Sequence, residues 1–383
     1  MKALVLGVGR MGTTIASAMD YFGFHVVGMD TNPKAVDNMP RKVNYEQTED
    51  EEGNKTVGAP RNEFFIVSNS EDICKGLEAQ AKPDIVISSL PYYQTETVAK
   101  YCIDNEIRYC DLGGRVDVSE SINEYATKNA KKPIFTDLGL APGWVNILAE
   151  QGCKEIHRQV DNVKMMVGGI PAVKVNPPLN YAATWSVDGL INEYKDDCII
   201  LEDGKPRTVS GMDGLEKVSF QLLGDEKLEA FYTSGGASHS VDTMQKRGVK
   251  NCCYKTIRYE GHREIVRFLM NQADLDKKSL EQIFTKGCEN KTGDIVLLKV
   301  EVNGGDVTWK KEIIVGYDMQ FSAMQKATAF SISSVAKLMA EGFFDERKTQ
   351  NRGGDLTLPV VLNYSDVPFD EFNDNLKQLG IQI

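Results

Sequence analysis

The sequence predicts an α/β protein: an N-terminal doubly wound parallel sheet, then a second α/β domain whose sheet is largely antiparallel. Three observations predict it. Over the first 140 residues, short apolar runs alternate with helix-like stretches, the pattern of a parallel sheet wound with helices. Past about residue 145 the texture changes to longer amphipathic strands with hairpin signals. The 383 residues, at about 150 per folded unit, leave room for two or three such units.

In chain order, the apolar runs of the first domain are ALVLGV at 3–8, FHVVGM at 24–29, EFFIVS at 63–68, DIVISSL at 84–90, IRYCDL at 107–112 and PIFTDL at 133–138. Helices are expected between them, TTIASAMDYF at 13–22 and TETVAKYCIDN at 95–105 among them. The acidic, breaker-rich stretch 46–62 reads as an inserted surface loop. In the second domain, strands are expected at 160–170, 227–234 and 253–261, and the cluster Asn303, Gly304, Gly305, Asp306 should close an antiparallel hairpin. Met324, Ala327, Ile332, Val335 and Leu338 approximate a helical stripe that Gly342 could stop. The expected boundaries are 1–145 for the first domain, completed by 321–358, and 146–320 for the second, with 359–383.

Apolar residues at 42% and charged residues at 26% fit an ordinary globular protein, which excludes disorder, collagen and coiled coil. A net charge of -11 repels phosphate backbones and anionic bilayers, so neither nucleic acid nor membrane is an expected partner. No run approaches the roughly 18 apolar residues of a bilayer span, and Met1 and Lys2 lead straight into a strand-like run, so a cytoplasmic protein is expected. The eight cysteines lack any CxxC or Cys/His ladder and read as free thiols without a metal, Cys252 and Cys253 pointing to opposite faces of a strand.

Gly7, Gly9 and Gly12 form GVGRMG between an apolar strand and a helix, where a dinucleotide pyrophosphate lies against a helix N-terminus. Val8, Arg10 and Met11 complete the cradle. Asp30 closes the second strand, ahead of Thr31, where a carboxylate can accept both adenosine ribose hydroxyls. A small-molecule site served by NAD follows, with NADP disfavoured beside Asp30, although Lys34 keeps that alternative open. In such a Rossmann sheet the ligand sits beyond the carboxyl ends of the strands. Ser88, Ser89, Leu90, Pro91 and Tyr92 stand there, as do Asp111, Leu112, Gly113 and Gly114, and then Asp137, Leu138 and Gly139. Ala141, Pro142 and Gly143 make a further turn into the helix-like WVNILAEQG, Pro142 suiting a helix start.

The segments SSLPYY, CDLGG, TDLGLAPGW, VGGIP followed by NPPLNYAATWSVDGLINEY, LEAFYTSGG and YKTIRYEGH resemble the saccharopine dehydrogenase family, most closely its lysine 6-dehydrogenase branch. The resemblance implies a Rossmann domain, a second domain with a largely antiparallel sheet, a returning C-terminal part, homodimers, and oxidation of a C–N bond by hydride transfer to a nicotinamide. Where saccharopine-forming members carry an acid in GLDPG this chain has Ala141, and where they carry a substrate-binding Arg it has Ser234, Gly235 and Gly236, which implies a smaller substrate. The resembled lysine dehydrogenases use NAD.

Such chemistry needs a neutral amine, a path for its proton and, for an amino acid, a cation for the carboxylate. By resemblance the KTIRYEG segment contacts substrate, so Thr256 and Arg258 are candidates, Arg258 as a bidentate carboxylate anchor; a cross-strand ion pair is its alternative. Asp111, Asp137, His262 and His239 are candidate proton acceptors, the aspartates alternatively capping local turns and the histidines lying at the surface. Tyr92, Tyr93, Gly114 and Trp185 would wall the pocket, or the aromatics pack in a core. The expected reaction is L-lysine to its 6-semialdehyde with release of ammonia and NADH. The alternatives are oxidation of saccharopine or a carboxylated polyamine, or a non-catalytic NAD-binding sensor or scaffold.

Overall fold

Short β-branched runs bounded by glycine and proline leave few options but buried strands, and the computed structural model places them so. It describes residues 1–39, 47–49, 55–57, 62–79, 82–289, 292–346 and 360–382. These divide into two units, 1–138 with 329–363 and 139–328 with 364–383.

In unit 1, strands β1 (Lys2–Leu6), β2 (His25–Asp30), β5 (Glu63–Ile66), β6 (Ile85–Ser88), β7 (Arg108–Asp111) and β8 (Ile134–Phe135) form one parallel sheet in the order β5-β2-β1-β6-β7-β8. The chain winds outward from β1, then returns to start again at β6, so the switch point lies between the two, where ligands bind in doubly wound sheets. The connections carry α1 (Arg10–Tyr21), α2 (Ser70–Ala79), α3 (Tyr92–Asp104) and α4 (Val116–Asn129). Val98, Cys102, Ile103, Ile122 and Ala126 of α3 and α4 pack on Leu4, Val86 and Tyr109 of the sheet. Residues 360–362 return along β8, where Ile134 donates to Val360 and accepts from Leu362. Within the stretch expected as loop, β3 (Gln47–Glu49) and β4 (Lys55–Val57) instead pair as an antiparallel ribbon. Its remaining residues up to 61 lie outside those described.

Unit 2 is built on a mixed eight-stranded sheet of β9 (Asn162–Pro171), β10 (Cys198–Glu202), β11 (Lys205–Val209), β12 (Glu216–Val218), β13 (Leu228–Tyr232), β14 (Asn251–Tyr259), β15 (Asp294–Gly304) and β16 (Val307–Gly316). Only β9 and β14 run parallel; every other pair is antiparallel. The β15–β16 hairpin closes through Gly305 and Asp306, with Gly304 opposite Val307. Helix α5 (Trp144–Glu155) starts two residues beyond Pro142, capped by Asn146, whose Oδ1 accepts from the Gly143 N–H at 2.8 Å. Helices α6 (Val187–Lys195), α7 (Ser240–Lys246), α8 (His262–Arg267), α9 (Lys277–Lys286) and α12 (Phe369–Gln378) complete the unit. Helix α10 (Ala323–Ala340) opens on the buried Asp294 carboxylate, which accepts from the Ala323 and Met324 N–H groups and neutralises the helix end. Gly342, at φ +75°, follows its last turn, and α11 (Phe343–Glu346) comes next.

Candidate functional site

The glycine turn of unit 1 shows a different reason for each glycine. Gly7 has φ +77°, a conformation that side chains resist, and its N–H continues the sheet by donating to Met29. A Cβ at Gly12 would lie 1.8 Å from the Gly7 carbonyl oxygen, so helix and strand pack with no room to spare. A Cβ at Gly9 would meet nothing within 4 Å. That open position caps α1, which carries no acid in its first turn and no side-chain cap. A pyrophosphate can therefore approach the backbone here, and the residues present fit a dinucleotide. Asp30 Oδ2 accepts from the Val8 N–H at 2.6 Å and Oδ1 from the Asn32 N–H at 2.8 Å, which pins the carboxylate at the end of β2 beside the turn. Arg10, Thr31 and Lys34 are exposed around it, Met11 is half-buried and the Val8 side chain belongs to the core.

Backbone bonds carry the strand ends outward, Ser89 to Leu6, Leu112 to Ser88 and Leu138 to Asp111. Leu90 and Pro91 lead into α3, where Tyr92 and Tyr93 stand exposed and edge to face rather than in a core. The Arg115 guanidinium lies over the Tyr92 ring, and a Cβ at Gly114 would touch Tyr92 at 3.3 Å. Leu138 is fully buried and contributes its backbone alone, and Gly139 accepts the Trp144 N–H at the entry to α5.

Asp111 and Asp137 form a buried carboxylate pair at these strand ends. Asp111 Oδ1 accepts from the Gly113 and Asp137 N–H groups at 2.9 and 3.1 Å, and the Ser119 hydroxyl donates to Asp137 Oδ1 at 2.7 Å. Asp137 sits at φ +62°, a strained conformation that Asp tolerates better than most residues. Gly113 is obligatory, since its Cβ would lie 2.2 Å from Asp137 Oδ1. Asp111 Oδ2 and the Tyr109 hydroxyl on the same face of β7 are buried without a hydrogen-bond partner among the described residues. Burial first, and then the Asp137 charge, push the Asp111 carboxyl up to about 7. A carboxyl poised there can take up and release a proton near neutrality.

In unit 2 the Arg258 guanidinium is buried. Its Nε donates to the Tyr194 hydroxyl at 2.8 Å and its Nη1 to the Ile257 carbonyl at 2.9 Å, while the Tyr181 and Tyr194 rings flank it. It faces Glu229 across the β13–β14 pair, yet Glu229 is taken by the N–H groups of Gly261 and Arg263. The cross-strand ion pair does not form. Among the described residues no carboxylate lies within ion-pair distance of Arg258, and a buried cation without a counter-ion is costly unless a ligand brings one.

His262 is a correction. It is buried, not at the surface; its Nδ1 donates to the Leu179 carbonyl at 2.9 Å and its Nε2 accepts from the Tyr194 hydroxyl at 3.0 Å. Burial and the Arg258 charge hold its pKa down to about 3, so it orients Tyr194 instead of taking a proton. The unfolded chain would protonate it near 6.5, so this stabilisation is present above that pH and lost as pH falls toward 3. His262→Phe is expected to lower the unfolding free energy by about 1–3 kcal/mol at neutral pH, because Tyr194 and Leu179 lose a buried partner. It should also flatten the acid limb, and urea titrations across pH measure both.

Thr256 spends its hydroxyl on the Val167 carbonyl, and Trp185, half-buried, packs on Gly189. Gly236 makes room for the Tyr254 ring, 2.3 Å from where its Cβ would be. The sequence reading assigns no role to Ser119, Tyr109, Tyr181, Glu193 or Tyr194; the last three stand in it only within the family segment NPPLNYAATWSVDGLINEY. Among the described residues no group of three His, Cys, Asp or Glu side chains converges as a metal site. No described helix is long and apolar enough to cross a membrane.

A switch-point glycine turn with an acid closing β2, followed by a second sheet domain, defines the class: a dinucleotide-binding α/β protein of the dehydrogenase type. Family models match the saccharopine dehydrogenase NADP binding domain over residues 3–135 and the saccharopine dehydrogenase C-terminal domain over 139–358. The chain belongs to the saccharopine dehydrogenase family. It is 24% identical over 210 residues to saccharopine dehydrogenase [NADP(+), L-glutamate-forming] of Schizosaccharomyces pombe, covering 54% of this chain and 46% of that protein. With the enzyme of the same name from Saccharomyces cerevisiae the figures are 26% over 212 residues, 54% and 47%. With mitochondrial alpha-aminoadipic semialdehyde synthase of Rattus norvegicus they are 29% over 150 residues, 38% and 16%. The matches thus span about half, or less, of the curated relatives' length. The apo saccharopine dehydrogenase (L-Glu forming) structure from Saccharomyces cerevisiae shares the fold at TM-score 0.66 and 16% identity, covering 99% of this chain and 96% of that one.

Proposed function

We propose that the chain is an NAD(P)-dependent amino-acid dehydrogenase acting at an amine-bearing carbon, with L-lysine its substrate and NAD its coenzyme. The observation that carries the reading is the open Gly9 position beside a pinned Asp30, which suits a dinucleotide whose ribose hydroxyls are unmodified. The bound nicotinamide supplies the hydride acceptor. On unit 1, Asp111 takes up the amine proton, its carboxyl being poised near neutrality. On unit 2, Arg258 supplies the missing counter-charge for a carboxylate. Ala141 and the small Ser234, Gly235 and Gly236 support free lysine over a lysine–glutamate conjugate. The same reading makes the chain a homodimer, for which the edge strand β16 is a candidate surface.

The family model's description and the yeast relatives' names specify NADP, which favours a second reading in which Lys34, exposed two residues after Asn32, receives a 2'-phosphate. Purified chain with lysine and NAD should generate the near-ultraviolet absorbance of reduced nicotinamide. Turnover of saccharopine alone would move the substrate to the conjugate, and coenzyme binding without turnover of any amine would leave a sensor. Asp30→Ser should lower the ratio of kcat/KM for NAD over NADP by about tenfold, one charge-assisted contact being worth that much. An unchanged ratio refutes the ribose role.

A further inference from the structure

Resting on the reading that Asp111 takes up the amine proton, we propose that Ser119 of α4 is a positioning residue for that step. Its hydroxyl holds the Asp137 carboxylate against Gly113, and the charge held there governs when Asp111 accepts a proton. Ser119 is buried and has one proton to give. Its local option is the Arg115 carbonyl one turn back, at 3.3 Å, the bond by which a serine inside a helix usually satisfies itself. Asp137 Oδ1 stands nearer, at 2.7 Å, within the range of a charge-assisted bond, so the proton goes to the carboxylate. Both carboxyls border one glycine. Gly113 donates its N–H to Asp111 Oδ1 at 2.9 Å, and a Cβ on the same residue would lie 2.2 Å from Asp137 Oδ1. The Asp137 N–H closes the arrangement on Asp111 Oδ1 at 3.1 Å.

Two buried carboxyls around one residue do not both ionise cheaply, so near neutrality a proton belongs to the pair. The donors decide which member carries it. A hydroxyl bond favours the ionised form of Asp137, whereas Asp111 Oδ2 is buried without a hydrogen-bond partner among the described residues and offers the proton a place. The Asp137 charge then adds to burial in raising the Asp111 carboxyl. The other titratable groups coupled to Asp111 are Tyr109 and Cys110 of its own strand, both held neutral by burial. Arg115 and Asp117 at the start of α4 are exposed and paired with each other at 2.8 Å. Asp137 is therefore the charge through which α4 reaches Asp111.

The test is a carbon-13 carboxyl NMR titration of the full chain labelled at aspartate, with Asp111 identified by the signal that Asp111→Asn removes. The pH profile of kcat with lysine and NAD is measured alongside. Asp137→Asn keeps an oxygen for Ser119 and tolerates φ +62° as Asp does, and it should lower the Asp111 midpoint by about one pH unit. Ser119→Ala should move the midpoint, and the limb of kcat with it, the same way by about half a unit, and Ser119→Thr, which retains the hydroxyl, should restore both. With Asp137→Asn already present, Ser119→Ala should move neither further. A serine that only supports the fold would change the melting curve and leave the midpoint in place. A midpoint unmoved by either single variant, or one that Ser119→Ala still moves without Asp137, overturns the proposal. If lysine is oxidised and the midpoint does not move, the positioning role falls and the dehydrogenase reading stands. If the midpoint moves as expected and no amine is oxidised with either coenzyme, the coupling of Ser119 to Asp111 stands and the dehydrogenase reading falls.

Discussion

Replacing Gly12 with Ala is expected to weaken coenzyme binding at least about a hundredfold and to destabilise unit 1 by about 3 kcal/mol. The added Cβ would overlap the Gly7 carbonyl oxygen at 1.8 Å; that oxygen is backbone fixed by the sheet, and the Cβ is fixed directly by the backbone of α1. Neither can swing aside as a side-chain end would. Gly9→Ala separates the two effects. Nothing lies within 4 Å of that Cβ, so thermal unfolding should stay within about 0.5 kcal/mol of the unaltered chain, apart from the modest gain or loss of glycine's backbone freedom. Coenzyme affinity should nonetheless fall, because the methyl occupies the approach to the helix end. Fluorescence titration with each coenzyme and parallel melting curves check both variants. If Gly9→Ala binds as tightly as the unaltered chain, the turn is structural and grips no diphosphate.

Asp111→Asn is expected to lower kcat about a hundredfold or more while raising stability, an uncommon pairing that marks a functional burial. The folded carboxyl titrates at about 7 against an ordinary 3.8, so the folded state holds its proton more tightly than the unfolded one. The sign follows: the group's contribution is whole below 3.8 and is lost as pH rises to about 7. A rise of that size corresponds to roughly 4 kcal/mol at most, since one pKa step is worth about 1.4. The amide keeps Oδ1 for the Gly113 and Asp137 N–H groups and escapes the ionisation. Denaturant unfolding should therefore find the variant's advantage growing with pH through this window and level above it. In activity, kcat should climb with pH through about 7 in the unaltered chain and lose that limb in the variant. Unchanged turnover would return Asp111 to the role of a turn cap.

Much of unit 1 was legible residue by residue. Leu4, Val27, Val86 and Tyr109 are buried on one face of the parallel sheet and Val5, Val26, Ile87 and Cys110 on the other, and such strands must read as unbroken apolar runs. The glycine turn was legible because the three glycines stand in one contiguous strand–turn–helix segment, Gly12 answering directly to the Gly7 carbonyl oxygen. The ribbon Gln47–Glu49 with Lys55–Val57 was not, because its polar composition carries no alternation that would separate strand from loop.

What the sequence determined by itself was therefore the order of elements, the dinucleotide turn and the family resemblance, all written in contiguous residues. Only the tertiary structure decided which of the candidates keep a free functional group. It closed His262 into a chain with Tyr194 and Leu179, and it gave the partner across from Arg258 to another helix end. It also left Asp111 Oδ2 buried without a hydrogen-bond partner among the described residues, close enough to the Tyr109 hydroxyl for the two to interact. The physical reason is that a side chain's charge state and free valence depend on neighbours distant in the chain, 83 residues apart for Leu179 and His262, and on water excluded by the whole fold.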